Sequence, residues 1–438
     1  MNEPQNVKYV VKNGLCVSCG VCEAACPRKA IRMLYNEDRG MVFPMVDEKM
    51  CNRCGICLDV CYGFKVDHEL NLRLFHNLPN SIVGNYIGSY IGFANDQVLR
   101  FNSTSGGVVT ALLIYALEER LIDGAIVTRM EAGNPPRAKP FIATTTKEIL
   151  SATGAKYSPV PLAECLETLE NGKRYAVVGL PCHIYGIRKL AESSPKIRNS
   201  IHLYLGILCG GMPSYLGTQY LLRVYSTEKQ HVRRLEYRGG GWPGRLFIQS
   251  ESSGQQKEIS VPYPEYWQGT FGYFQPYRCT VCHDGFNEFS DISCGDAWLP
   301  DIIRKDKEGT SLIITRTEMG EHLLREAFQK GRIQITPIES QDVIRSQQGL
   351  IQSKNLTLKA RVNLSKIIRR KLPTFDLTRT PPTSRTSYLS AIELYVGNTM
   401  ASRKGLWWLF DTYLSLRRTI GHVIRRLKRR ESKRMPLP

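Results

Sequence analysis

No run of 18 or more apolar residues occurs in this sequence, so a membrane-spanning helix is not expected. The N-terminus, MNEPQNVKYVVKNG, lacks the apolar stretch of a secretory signal. The expected setting is the reducing cytoplasm, where disulfides are rare. Acidic residues are short: 40 Asp and Glu against 59 Lys and Arg leave a formal net charge of +19. Such an excess invites a nucleic-acid reading, but its placement argues against one. Residues 403–434 hold 11 Lys or Arg and 2 Asp or Glu, so nearly half of the excess lies in one short tail. The first 68 residues are close to balanced, with 9 basic and 8 acidic side chains. Histidine is sparse, 8 in all, and shows no ligand spacing, so His183, His202 and the others read as structural or exposed.

Cysteine is what the chain has in quantity. There are 14, and eight form two copies of one spacing within the first 61 residues. Cys16, Cys19, Cys22 and Cys26 read C-x2-C-x2-C-x3-C and run into Pro27. Cys51, Cys54, Cys57 and Cys61 repeat the spacing, with Tyr62 where the proline would be. This is the two-cluster bacterial ferredoxin run, in which the fourth cysteine of each run ligates the other cluster. One 4Fe-4S cluster then takes Cys16, Cys19, Cys22 and Cys61, and the other takes Cys51, Cys54, Cys57 and Cys26. Zinc is the bland alternative, but structural zinc sites favour two C-x2-C knuckles rather than three cysteines at two-residue gaps.

The four cysteine pairs and Gly20→Gly55 share an offset of 35 residues, an internal repeat. Between the runs, residues 31–50 read as a hairpin with its turn near Asp38–Gly40. Strand and helix signals then alternate, which predicts an α/β domain with a parallel or mixed sheet. Ser103–Gly107 precedes the helical pattern VVTALLIYALEER, and RYAVVG reads as a strand leading through Gly179-Leu180-Pro181-Cys182 into a helix. IHLYLGILCGG puts Cys209 at a strand's carboxyl end, the edge where such sheets hold ligands. Residues 238–298, rich in Gly, Pro and aromatics, read as a looser stretch. Residues 340–372 read as helical, and the segment after them as a linker.

Outside the repeat the residues leave alternatives open. The Ser103–Gly107 loop suits either a phosphate cradle or a plainly capped helix. Cys182 at a helix N-terminus, Cys209, the Cys279–Cys282 pair and Cys294 could ligate metal or be buried thiols with one zinc knuckle. Cys165, in an amphipathic helix, reads as core. The C-terminal segment, with Trp407, Trp408, Leu409 and Phe410 ahead of basic clusters, fits an interfacial helix on anionic lipid or a solvated basic tail.

Taken together, STSGGVVTALLIYALEERLIDGAIV, VGLPCHIYGIRKL, LGILCGG and YRCTVCHDGFNEFSDISCGDAW resemble the family of coenzyme F420 hydrogenase/dehydrogenase beta subunits, over roughly residues 88–335. The ferredoxin repeat stands in front, as in many members. The resemblance implies a ferredoxin-like α+β module, an α/β domain that binds FAD and a third 4Fe-4S cluster, and a basic helical extension outside the family pattern. It implies third-cluster ligands at Cys182, Cys209, Cys279 and Cys282, with Cys294 in reserve. Ser105, Gly106 and Gly107 are implied to meet flavin phosphate, and Asp291 and Asp296 to shape the pocket. The expected division is 1–68, 69–88 (linker), 89–340, 341–384 and 385–438. The implied activity is that of an oxidoreductase passing electrons between clusters and a flavin-mediated two-electron carrier or substrate, coenzyme F420 or another. No catalytic residue is singled out. A redox partner protein is expected, with peripheral contact to anionic membrane through the tail. The competing reading is a non-catalytic subunit that only wires a partner enzyme.

Overall fold

The computed structural model describes residues 4–432, apart from 80, 132, 134, 135, 226–230 and 253. At the N-terminus, β1 (Ile31–Asn36) and β2 (Met41–Val46) form an antiparallel hairpin pairing Ile31 with Val46 and Asn36 with Met41. Gly40, at φ +58°, closes its turn. The repeat is visible in the backbone. Ser18 and Arg53 both lie at φ +60°, and Gly20 and Gly55 both at φ +81°, each glycine opening a four-residue helix, Val21–Ala24 or Ile56–Asp59. A glycine tolerates that left-handed conformation without steric cost.

The main domain is built on an eight-stranded mixed sheet. Its strands are β3 (Gly88–Ala94), β4 (Gly124–Glu131), β5 (Arg137–Ala143), β6 (Tyr175–Gly179) and β7 (Ile201–Ile207). After β8 (His231–Gly239), β9 (Arg245–Ser252) and β10 (Gln255–Pro262), the large sheet resumes with β11 (Ile292–Asp296), β12 (Ser311–Thr315) and β13 (Ile333–Pro337). The order is β13-β3-β12-β11-β7-β6-β4-β5, with β11, β7, β6 and β4 mutually parallel. Every residue of β12 is buried, because both sheet faces are covered and no alternation is required. Helices Val108–Glu118 and Glu318–Gln329 pack on one face through Leu112, Leu323 and Leu324. Helix Pro181–Ser193 and the ferredoxin-like module cover the other, where Val21, Val60 and Tyr62 join Ile126, Val177 and Ile184.

Three stretches differ from the sequence expectation. The loose region beyond 238 contains most of a three-stranded antiparallel sheet, β10-β9-β8, whose glycines and prolines mark its turns rather than a long loop. The linker before β3 holds a helix at Leu70–Phe75. The linker after the helical segment is tied down: Val66 donates to the Thr374 carbonyl at 2.8 Å, Thr374 to that of Phe64 at 3.0 Å, and Phe375 stacks on His283.

Helices Arg385–Ala401 and Trp407–Ser432 close the chain. Trp407 and Phe410 do not face outward as a lipid-binding stripe would require. Both are buried against Tyr220 and Phe274, and Asp411 pairs with Arg223 at 2.8 Å. Trp408 remains 68% exposed. The side chains beyond 419 and the last six residues, where most of the basic tail lies, fall outside the described residues. Among the described residues no helix is long and apolar enough to cross a membrane.

Candidate functional site

The repeat brings its cysteines together across the two runs. Burial raises the Cys16 and Cys22 thiols above their ordinary range, and the charges of Cys19 and Cys61 raise them further. Cys61 itself is pushed up to about 12, first by burial and then by Cys19. The fourth cysteine of the second run therefore sits with the first three of the first. Likewise Cys57, pushed up to about 11 by burial, feels Cys61, Cys26 and Cys51. Cys54, on the same loop, is exposed. Backbone amides serve the sulfurs: Ser18 N–H donates to Cys16 Sγ at 3.4 Å and Ala30 N–H to Cys26 Sγ at 3.3 Å. Among the described residues no three His, Cys, Asp or Glu side chains gather tightly enough for a single metal ion. Thiols exchanged between the two runs, Cys61 beside Cys16 and Cys22 and Cys26 beside Cys57, are the pairing that two interleaved clusters need.

A second group of thiols lies between this module and the sheet. Cys182 follows β6 and Cys209 follows β7, at the carboxyl ends of adjacent parallel strands. Cys279 and Cys282 come from the short helix Tyr277–Thr280 and the residues just after it. Burial holds the Cys182 thiol well above its ordinary value, and Cys19, Cys209, Cys279 and Cys282 add to the effect. Cys209 is pushed up to about 12 by burial, with Cys279 and Cys282 among its neighbours. So cysteines from three separate parts of the sequence are brought into one group. Cys294 is not with them: it is buried in β11, and burial alone pushes its thiol up to about 12.

Three buried cations surround this quartet. Lys354, 2% exposed on a π-helical turn at Gln352–Leu356, donates to the Cys279 carbonyl at 3.2 Å. Burial disfavours its charge, but Cys282, Cys209 and Cys279 outweigh that and hold its pKa above the ordinary lysine value. Arg278, fully buried, donates to the Tyr62 carbonyl at 3.2 and 3.1 Å. Arg361 donates to Thr357 and to the Ser353 carbonyl. Among the described residues none of the three has a carboxylate in salt-bridge range. An unpaired buried cation is strongly unfavourable, so the arrangement fits a bound anion. A 4Fe-4S cluster on four thiolates is one, since ligation replaces thiol protons with metal and leaves a net negative group.

Beyond the quartet a cavity of about 1170 Å³ opens at the carboxyl ends of the parallel strands, lined by Gly179, Ile207 and Asp296 among others, with Cys209 in its wall. The predicted glycine loop borders it, in a form the sequence did not reveal. Ser105 Oγ is engaged with the carbonyls of Gly295 and Thr310 and with Ser311 Oγ, at 3.1–3.2 Å. Gly106 is needed for packing: a Cβ there would lie 2.5 Å from the Gly92 carbonyl oxygen. Gly107 takes φ +75° at the helix start. The adjacent Thr104 hydroxyl, in the cavity wall, is buried without a hydrogen-bond partner, so it is one polar atom available to a ligand.

The two predicted aspartates part company. Asp296 lines the cavity, where Arg238 grips it at 2.8 and 2.9 Å and Trp242 Nε1 donates at 2.6 Å. Asp291 is absent from the cavity lining. It lies at the opposite end of β11, roughly 16 Å away at ~3.3 Å per residue, and is taken up by Arg188, the Tyr204 amide and Thr317. Sequence reading passed over Lys354, Arg361 and Lys156, while Thr104 lay unremarked inside the loop it had marked. Lys156 lines the cavity, donates all three of its N–H groups to the carbonyls of Ala152, Thr153 and Gly154, and is pulled down to about 7 by burial. His183, also in the wall, is pushed down to about 4 by burial and serves structure: its Nε2–H donates to the Val160 carbonyl and its Nδ1 accepts from Leu180.

Sequence models of the coenzyme F420 hydrogenase/dehydrogenase beta subunit match its N-terminal part at residues 89–167 and its C-terminal part at residues 172–341. The chain belongs to this family. Residues 15–62 match the 4Fe-4S dicluster domain, so the family's domain here carries an iron–sulfur module in front. The coenzyme F420 hydrogenase subunit beta of Methanothermobacter thermautotrophicus is 28% identical over 59% of this chain and 87% of its own length. Its namesake from Methanococcus voltae is 28% identical over 66% and 96%. The coenzyme F420-dependent sulfite reductase of Methanocaldococcus jannaschii is 26% identical over 75% of this chain, which spans only 48% of that longer protein. A chain of the F420-reducing hydrogenase complex from Methanosarcina barkeri shares the fold, with a TM-score of 0.52 at 23% identity over 68% of this chain and 99% of that one.

Proposed function

We propose that this chain is an iron–sulfur flavoprotein subunit of an oxidoreductase. It passes electrons between a redox partner protein and a two-electron carrier in the cavity, coenzyme F420 or a chemical relative. The observation that carries this reading is the Cys182, Cys209, Cys279 and Cys282 quartet, placed between the ferredoxin-like module and the cavity and ringed by three buried cations without carboxylates. These thiols hold the third 4Fe-4S cluster. FAD, when bound in the cavity, supplies the exchange between one-electron and two-electron chemistry. The Thr104 hydroxyl is placed to meet its anionic part, and the Lys156 ammonium, whose three N–H groups are held by backbone carbonyls, adds its charge alone. The Arg238–Asp296 clamp fixes the wall that carries Tyr263 and Trp298, whose rings stack at 6.3 Å.

The two halves of the repeat face different neighbours, which gives the wire two distinct ends. A Cβ at Gly20 would lie 2.8 Å from the Leu162 backbone nitrogen, so the first cysteine loop is sealed against the main domain. At the equivalent Gly55 nothing lies within 4 Å, and Cys54 beside it is exposed. The second loop is the side open to a partner. The test is anaerobic: the full chain, reconstituted with iron, sulfide and FAD, is mixed with reduced coenzyme F420. Bleaching of the clusters that depends on FAD is expected. A chain that retains no flavin after gel filtration, or whose clusters accept electrons equally well without it, would refute the reading.

A further inference from the structure

Tyr62 occupies the position at which the first cysteine run has proline, and the ferredoxin pattern alone gives it no task. In the structure it is 1% exposed, and its phenol oxygen lies 3.4 Å from Cys282 Sγ. It is also covalently next to Cys61, which sits with the first cluster's thiols. The residue therefore spans from one ligand set to the other. Its orientation is fixed independently of the sulfur: Arg278 donates twice to its carbonyl and lies 4.5 Å from its ring centre, and Tyr185 meets the ring edge-on at 5.3 Å. A proline could neither reach nor donate.

We propose that the Tyr62 hydroxyl donates a hydrogen bond to the Cys282 thiolate and thereby raises the potential of the third cluster relative to the N-terminal pair, biasing the sharing of electrons toward the cluster nearer the cavity. This rests on the three-cluster reading. A donor to a cluster sulfur favours the reduced state, which carries one more negative charge, and the effect is strongest where water is excluded. Cys282 is 8% exposed, so little solvent competes for its sulfur. Only the cluster held by Cys282 receives this bond, so the effect is selective.

The experiment is an EPR-monitored redox titration of the full chain and its Tyr62→Phe variant, both reconstituted anaerobically, with iron counted per chain. Phenylalanine keeps the ring, its contacts and the carbonyl, and removes only the O–H. The expected result is that the electron partition between the third cluster and the N-terminal pair shifts roughly tenfold toward the pair, which for a one-electron couple is about 59 mV. The pair's own potentials stay in place. A third-cluster potential unmoved by the change, or all three moving together, overturns the role of Tyr62 while leaving three clusters standing. About 8 iron in the unaltered chain removes the three-cluster reading itself. If Tyr62→Phe fails to assemble, the unaltered protein still decides. Pulsed EPR before and after exchange into deuterated water should show a strongly coupled exchangeable proton on the third cluster. A coupling spectrum unchanged by the exchange overturns the proposal.

Discussion

Replacing Lys354 by methionine separates a quartet that holds an anionic cluster from one that does not. Methionine nearly matches lysine in volume, so packing is largely preserved while the charge is lost. At an effective dielectric of about 20 and a separation of about 6 Å, a unit charge stabilises an added electron by about 3 kcal/mol. With about 59 mV per tenfold change, that becomes roughly 120 mV for a one-electron couple. The third cluster in Lys354→Met should therefore titrate about 120 mV lower, while the N-terminal pair hardly moves. The assay is potentiometric EPR on anaerobic protein, with thermal unfolding alongside. If the thiols carry no cluster, Lys354 is only an unpaired buried cation among neutral groups, and its removal should stabilise the chain. A raised Tm with unchanged iron and unchanged potentials would refute the reasoning.

Serine at Cys182, Cys209, Cys279 or Cys282 should lower iron from about 12 to about 8 per chain, whereas Cys294→Ser should leave it at about 12. Burial pulls Lys156 down to about 7, below its unfolded value of about 10.4, so its burial penalty is full below pH 7 and is relieved progressively as pH rises from there to about 10.4. Anionic FAD beside the ammonium should therefore bind more weakly as pH rises from about 6 to about 8.5, and Lys156→Met should flatten that profile in a fluorescence titration. Phe410 is fully buried, so Phe410→Ala should cost about 3–5 kcal/mol, read as a lowered Tm. Proteolysis of the variant should begin in the loosened C-terminal helices.

The sequence exposed what is local and concealed what is assembled at a distance. The eight N-terminal cysteines were readable because each run carries its ligand geometry within eleven residues, and the fold repeats the pattern with matching glycine conformations at Gly20 and Gly55. The quartet was legible only through family resemblance, since its members come from the ends of β6 and β7 and from the helix at Tyr277–Thr280. Lys354 and Arg361 gave no signal at all: nothing in their local sequence shows that they are buried, and their thiol neighbours lie more than 70 residues away. Trp407 and Phe410 left an interfacial helix and a solvated tail both open, because an aromatic cluster beside basic residues looks the same whether its partner is a membrane, water or the rings of Tyr220 and Phe274. Strands β8 to β10 were hidden by their turns, since glycine and proline mark the ends of hairpins as readily as they mark loops. Asp291 and Asp296 stand five residues apart, and only the sheet's direction shows that the second lies at the cavity edge.

Electron exchange in this chain turns on a third cluster beside a flavin in the main domain. The direct measurement is iron, acid-labile sulfide and FAD per chain in anaerobically prepared protein. About 12 iron, about 12 sulfide and about one FAD are expected. About 8 iron with no retained flavin would contradict it.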